Sequence, residues 1–221
     1  MTLYVDSANL KDIEAVLERG VAHGITTNPS LVSKEVAQTY DAFVRQVVKL
    51  ARNWHCPVSV ELTTGEPTEM VPQAVRLFAE QDYRDMVIKV PVGWDELNVV
   101  RTLLENHIRV NVTAVMSYDQ AILAAEAGAD FISIFWNRVR DYGADPCAIV
   151  DRVRTTLDRL GFENQIIVGS IRQQDDIGDA LMAGAHIVTV PYRFFAPMTC
   201  HPKTDEVVQQ FLHDYAVWSK A

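Results

Sequence analysis

Lys89 stands in the run Met86-Val87-Ile88-Lys89-Val90-Pro91-Val92, an apolar, β-branched stretch with the pattern of a fully buried strand. An ammonium buried without a partner costs several kcal/mol, so such a lysine pairs with a carboxylate, snorkels to water, or gives up its proton. A neutral amine is a nucleophile that adds to a carbonyl and forms a Schiff base, and desolvation pushes amines toward that neutral form. Pro91 brings no N–H to a ladder, which suggests that the hydrogen-bonded strand is ending and puts Lys89 near its C-terminal mouth.

Other polar residues fall near the ends of β-like runs: Asp6, Thr26 and Asn28, Glu61, Asn111 and Thr113, Ser133, and Ser170. Each has a plain structural reading. Asp6 or Asn28 could cap the following helix, and Asn111 and Thr113 could hydrogen-bond inside a barrel. Glu61 could be a salt-bridge partner that keeps Lys89 charged. As a set they are harder to dismiss, because buried acids and amides need partners and apolar side chains serve a mere core better. Arg138 and Arg172 join Ser170 as donors suited to a phosphate, since a guanidinium presents a planar fork. The plain alternative for each arginine is a solvated loop.

The elements that must position these residues alternate regularly. Strands are expected near 3–5, 24–28, 58–62, 86–92, 109–115, 131–136, 165–169 and 187–190. Helical patterns occupy 10–18, about 37–52, 66–81, 94–106, 118–127, 146–159, 175–183 and 204–219, with Asn9 as an N-cap and Pro29 in the first turn of a helix. Glycine-rich phosphate motifs of the GxGxxG or GxxxxGK type are absent, which disfavours a doubly wound sheet. Eight repeats at this length predict an α/β fold, a (β/α)8 TIM barrel in a single domain over residues 1–221 with an extra C-terminal helix. Ala127-Gly128-Ala129 and Ala183-Gly184-Ala185 echo one another, each glycine placed to close a helix in a left-handed conformation. In a barrel the strands' C-terminal ends share one mouth, where chemistry belongs.

Composition narrows the partners. A net charge of −9 with no basic run argues against nucleic acid. No apolar run is long enough for a membrane helix, and MTLYVDSANL lacks the pattern of a signal peptide. Cys56, Cys147 and Cys200 are odd in number and widely spaced, which points to a reducing compartment, hence the cytoplasm, and to no zinc site.

The motifs Thr26-Thr27-Asn28-Pro29-Ser30, Val58-Ser59-Val60-Glu61, Ile88-Lys89-Val90-Pro91, Asn111-Val112-Thr113 and Ser170-Ile171-Arg172 together resemble the transaldolase family. The likeness is greatest to its short subfamily, which includes fructose-6-phosphate aldolase, and it runs from about Tyr4 to the final helix. The resemblance implies a class I mechanism with no metal or other cofactor and with sugar-phosphate substrates. By it, Lys89 matches the Schiff-base lysine, Asp6 the acid/base at the C4 hydroxyl, and Glu61 with Thr113 the groups that move protons through a water. Asn28 and Asn111 match amides that hold the three-carbon unit, with Thr26 and Ser133 beside them. Arg138, Ser170 and Arg172 match the phosphate clamp.

Fructose-6-phosphate aldolases carry glutamine at the position of Glu61 and tyrosine at that of Phe135, so both positions here resemble transaldolase. A dihydroxyacetone unit is then expected to move from fructose 6-phosphate or sedoheptulose 7-phosphate to erythrose 4-phosphate or glyceraldehyde 3-phosphate, in the pentose phosphate pathway. Asn137 resembles the aldolase subgroup instead, and Ile134 replaces a proline common to both. A lyase releasing free dihydroxyacetone and a non-catalytic sugar-phosphate-binding barrel are the rival readings. The apolar spacing of residues 207–218 reads as a helix packing on a core, and periodicity does not distinguish its own core from a neighbour's groove. The resemblance implies the neighbour, within homo-oligomeric pentamers that pair into decamers.

Overall fold

The computed structural model describes residues 2–35 and 39–219. Eight parallel strands close a barrel in chain order: β1 (Thr2–Asp6), β2 (Ile25–Thr26), β3 (Val58–Glu61), β4 (Met86–Pro91), β5 (Arg109–Val115), β6 (Phe131–Phe135), β7 (Gln165–Gly169) and β8 (Ile187–Pro191), with β8 paired back to β1. Around them lie α1 (Leu10–Leu17), α2 (Pro29–Glu35), α3 (Tyr40–Asn53), α4 (Pro67–Gln81), α5 (Glu96–Glu105), α6 (Tyr118–Glu126), α7 (Trp136–Asp141), α8 (Pro146–Leu160) and α9 (Asp175–Met182). A last helix, α10 (Pro202–Trp218), follows two short 3-10 turns. This is the expected (β/α)8 barrel with its C-terminal helix.

The period-two alternation of each strand sorts its residues between two environments. One set, including Val5, Ile25, Val60, Ile88, Val90, Val112, Ile134 and Val190, packs in one apolar cluster with helix residues such as Val47, Leu77, Leu103 and Val153. The other set faces the interior. At the N-terminal end of the barrel it is the separate apolar cluster Tyr4, Val87, Phe131, Ile167 and Ile187. One step further along, the same parity carries Asp6, Lys89, Ser133, Gly169 and Thr189. An apolar plug thus closes one end, and polar groups collect at the other.

Local sequence explains how the chain leaves each strand. The expected strand 24–28 is only Ile25–Thr26, and two residues on Asn28 already belongs to the helix entry, its Oδ1 accepting the Leu31 amide at 2.9 Å. Pro29, which lacks an amide hydrogen, opens α2 there. Asn9 caps α1 by accepting from the Lys11 and Asp12 amides. Gly128 and Gly184 close their helices at φ +90° and +103°. Ala37, the expected start of a helix, lies outside the described residues; α3 runs from Tyr40 with Thr39 as its cap.

One expectation is corrected. Trp136 is not the end of the sixth strand: it opens the short helix α7, and its fully buried indole Nε1 donates to Asp176 at 3.2 Å. For the final helix, whose packing partner periodicity left open, no residue of α10 is buried against the chain, and Phe211, Tyr215 and Trp218 are 66%, 65% and 74% exposed.

Candidate active site

Parallel register puts Glu61 beside Lys89 across β3–β4, and Lys89 beside Asn111 across β4–β5. Lys89 is 5% exposed, and its Nζ donates to Glu61 Oε2 at 2.7 Å and to the Thr27 carbonyl at 3.1 Å. The ion-pair reading of Glu61 therefore describes this structure. Lys89 is nevertheless not sealed in, since it lines a cavity of about 400 Å³ at the barrel mouth. Asp6, Thr26, Asn28, Glu61, Ser133, Phe135, Arg138 and Ser170 line the same cavity. The Glu61 backbone is fixed by the Tyr40 hydroxyl, which donates to its carbonyl.

Burial pushes the Asp6 carboxyl above its ordinary range, and the Thr26 hydroxyl and the Lys89 charge only partly offset this. Thr26 Oγ1 donates to Asp6 Oδ1 at 2.9 Å and lies 2.6 Å from Thr189 Oγ1. A hydroxyl has one proton to give, so Thr189 donates to Thr26 while Thr26 donates to Asp6. This relay orients the carboxylate. Such a group, held by one hydroxyl and facing a cavity, is suited to exchange a proton with a bound molecule.

Asn111 is fully buried and does not line the cavity. It accepts from Ser133 Oγ at 2.8 Å and donates to Ser59 Oγ at 3.4 Å, and so orients Ser133. Thr113 is also absent from the lining, and its buried Oγ1 makes no hydrogen bond among the described residues. Just after it β5 carries a bulge, with Ala114 at φ +59° and the register to β6 shifted between Val112 and Val115.

The two arginines are placed differently. Arg138, on α7, lines the cavity. Arg172 is turned away, in a two-pronged ion pair with Asp141 at 2.8 and 2.6 Å, and is not part of the lining. Hydrogen bonding to Arg172 holds the Asp141 carboxyl below its usual range and raises the guanidinium in turn. Ser170 sits at φ +60°, a strained conformation for a residue other than glycine, and its carbonyl accepts from Asn137 Nδ2 at 2.9 Å.

Sequence reasoning missed Thr189 and Asp176. Thr189 had a usable signal, its interior parity in Ile187-Val188-Thr189-Val190. Asp176 had none, because an acid in the first turn of a helix reads as ordinary complementation of the helix dipole. Among the described residues, no group of three or more His, Cys, Asp or Glu side chains is arranged to hold a metal ion.

Fold and site together define a (β/α)8 barrel with a lysine and two carboxylates at its C-terminal mouth. The family model described as Transaldolase/Fructose-6-phosphate aldolase matches residues 3–219. A probable transaldolase of Chlorobium phaeobacteroides is 38% identical, covering 98% of each chain. Probable transaldolases of Alkaliphilus metalliredigens and Thermoplasma acidophilum are 37% and 36% identical, each alignment covering 97% of this chain and 98% and 95% of the relative. The chain belongs to the transaldolase/fructose-6-phosphate aldolase family.

Proposed function

We propose that this protein is a transaldolase that carries a dihydroxyacetone unit from a ketose phosphate, fructose 6-phosphate or sedoheptulose 7-phosphate, to erythrose 4-phosphate or glyceraldehyde 3-phosphate. The observation that carries this reading is the buried Lys89 Nζ, 2.7 Å from Glu61 and open to a cavity that Asp6 and Arg138 also line. Glu61 takes a proton from the Lys89 ammonium, and the neutral amine adds to the C2 carbonyl. Glu61 then returns the proton as the carbinolamine loses water, leaving an iminium. With that cation as electron sink, Asp6 removes the C4 hydroxyl proton, the C3–C4 bond breaks, and an aldose phosphate departs. The enamine held on Lys89 adds to the acceptor aldehyde, and hydrolysis frees the new ketose and the amine. Thr113, beside the same row, serves the water that these proton transfers need.

Asn28, Ser133 and, through Ser133, Asn111 hold the hydroxyls of the three-carbon unit, while Arg138 and Ser170 receive the phosphate. Arg172 joins them by exchanging Asp141 for the phosphate. Phe135 presents no hydroxyl with which to place a water beside the enamine, which favours transfer over release. The place of such a reaction is the pentose phosphate pathway of the cytoplasm. Reduction with borohydride in the presence of fructose 6-phosphate, followed by peptide mass analysis, tests the reading. An adduct on Lys89 is expected, and none there would leave only sugar-phosphate binding. Substantial dihydroxyacetone release without an acceptor aldehyde would favour the lyase.

The exposed apolar side chains of α10 support a homo-oligomer in which the helix packs on a second copy of the chain. The pentamer or decamer implied by family resemblance is the expected assembly. Light scattering that reports a monomer would overturn it.

A further inference from the structure

Asp176 is the most heavily hydrogen-bonded carboxylate near the barrel mouth, and the reaction sequence above gives it no role. The residue is 1% exposed. Its Oδ1 accepts from Trp136 Nε1 at 3.2 Å and from Arg140 Nη1 at 2.9 Å. Its Oδ2 accepts from Asn137 Nδ2 at 2.6 Å and from the Arg172 and Gln173 amides at 3.1 and 3.0 Å. Burial alone raises a carboxyl, but these donors outweigh it and hold Asp176 below its ordinary range, as an anion.

The donors come from two segments that share no strand pairing beyond β6–β7. Trp136, Asn137 and Arg140 belong to α7, where they flank Arg138. The Arg172 and Gln173 amides belong to the loop that leaves β7 through Ser170. Asn137 spans the two, since its amide nitrogen also donates to the Ser170 carbonyl. That bond secures Ser170 in its left-handed conformation at φ +60°. Arg138 and Ser170 each line the cavity, on opposite sides of the seam that Asp176 closes.

We propose that Asp176 is the positioning residue of the anion subsite: it locks the Arg138 helix to the Ser170–Arg172 loop so that both meet one phosphate. Asn137 is its intermediary. The proposal rests on the reading that this mouth takes sugar phosphates. A carboxylate retained for packing alone would affect phosphorylated and unphosphorylated ligands alike, and this is where the two explanations part.

The test compares the parent with Asp176→Asn and Asn137→Ala, each checked for folding by circular dichroism. Borohydride-trapped adduct on Lys89 is measured by intact mass against rising fructose 6-phosphate and, separately, rising dihydroxyacetone, which has no phosphate. A misplaced clamp raises the half-saturating fructose 6-phosphate by about ten-fold or more in Asp176→Asn and by a smaller factor in Asn137→Ala, with dihydroxyacetone within about two-fold of the parent. Unchanged fructose 6-phosphate dependence in both variants overturns the proposal, as does an equal rise for both ligands. If Asp176→Asn does not fold, Asn137→Ala decides by the same criteria. If the parent forms no adduct with either ligand, the transaldolase reading fails, and thermal stabilisation by inorganic phosphate decides the positioning role separately. Stabilisation of the parent that is lost in the variants supports that role. Equal stabilisation, or none in the parent, overturns it.

Discussion

Asp6→Asn separates forming the Schiff base from breaking the carbon–carbon bond. Asparagine keeps the shape of the side chain, and its Oδ1 can still accept the Thr26 hydroxyl now found at 2.9 Å from Asp6. What it loses is the capacity to take the C4 hydroxyl proton. A positioned general base contributes about 10²–10⁴-fold to rate, or roughly 2.7–5.4 kcal/mol of barrel-mouth transition-state stabilisation. Stability should move the other way. The folded-state carboxyl is raised above its unfolded value by burial, so its favourable contribution is complete below the unfolded value and is lost as pH rises through the folded one. At neutral pH Asp6 is therefore a net liability, and the variant should melt at the same temperature as the parent or higher, with any advantage fading in acid. Intact-mass analysis after borohydride trapping with fructose 6-phosphate reads the chemistry. The parent should carry a three-carbon adduct and the variant an unbroken six-carbon phosphorylated one. A three-carbon adduct in Asp6→Asn, or turnover within about ten-fold of the parent, would refute the assigned role.

Phe135→Tyr introduces a phenol at the cavity wall, and free dihydroxyacetone released from fructose 6-phosphate without an acceptor should increase while transfer declines; an enzymatic assay for dihydroxyacetone checks this. Asp141→Asn removes the carboxylate that holds Arg172, so KM for fructose 6-phosphate should fall about two- to five-fold at low ionic strength, and the gain should disappear in high salt. Gly24→Ala would put a methyl group 2.5 Å from the ring of Tyr4, a buried member of the apolar plug, and overpacking of about 1–3 kcal/mol corresponds to a melting temperature lower by roughly 2–12 °C.

The barrel was legible because short apolar, β-branched runs recur in regular turn with helical patterns that carry local signals, such as Asn9 and the closing glycines at 128 and 184. Strand-end polarity likewise pointed to the cavity, since Lys89, Asp6, Glu61, Asn28 and Ser133 all occupy strands or strand ends whose direction follows from period two. Side chains on the connecting segments were harder to read. Arg138 and Arg172 follow neighbouring strands and look equivalent in the sequence, yet one lines the cavity and the other is held by Asp141, three residues beyond Arg138 on the same helix. Trp136 looked like one more apolar strand residue because only tertiary contact with Asp176 shows where its indole nitrogen goes. The exposed face of α10 was also hidden from periodicity, which records an apolar stripe but not what covers it.

The interior parity of the strands explains how one barrel can be both stable and reactive. Moving a single two-residue step along β1, β4, β6 and β8 takes Tyr4 to Asp6, Val87 to Lys89, Phe131 to Ser133 and Ile187 to Thr189. The first member of each pair belongs to a buried apolar plug, which is backed by the Arg109 guanidinium stacked 5.0 Å from the Phe131 ring. The second belongs to the hydrogen-bonded mouth. Placed on the plug, the polar members are shielded from water on one side, which strengthens the Lys89–Glu61 attraction and raises the Asp6 carboxyl. The helix-facing residues between them, Val5, Ile88, Ile132 and Val188, stay aliphatic and hold the barrel to its helices. Substitutions at the mouth can therefore alter chemistry without opening the core, whereas a change at Tyr4 or Val87 would disturb both the plug and the groups that rest on it.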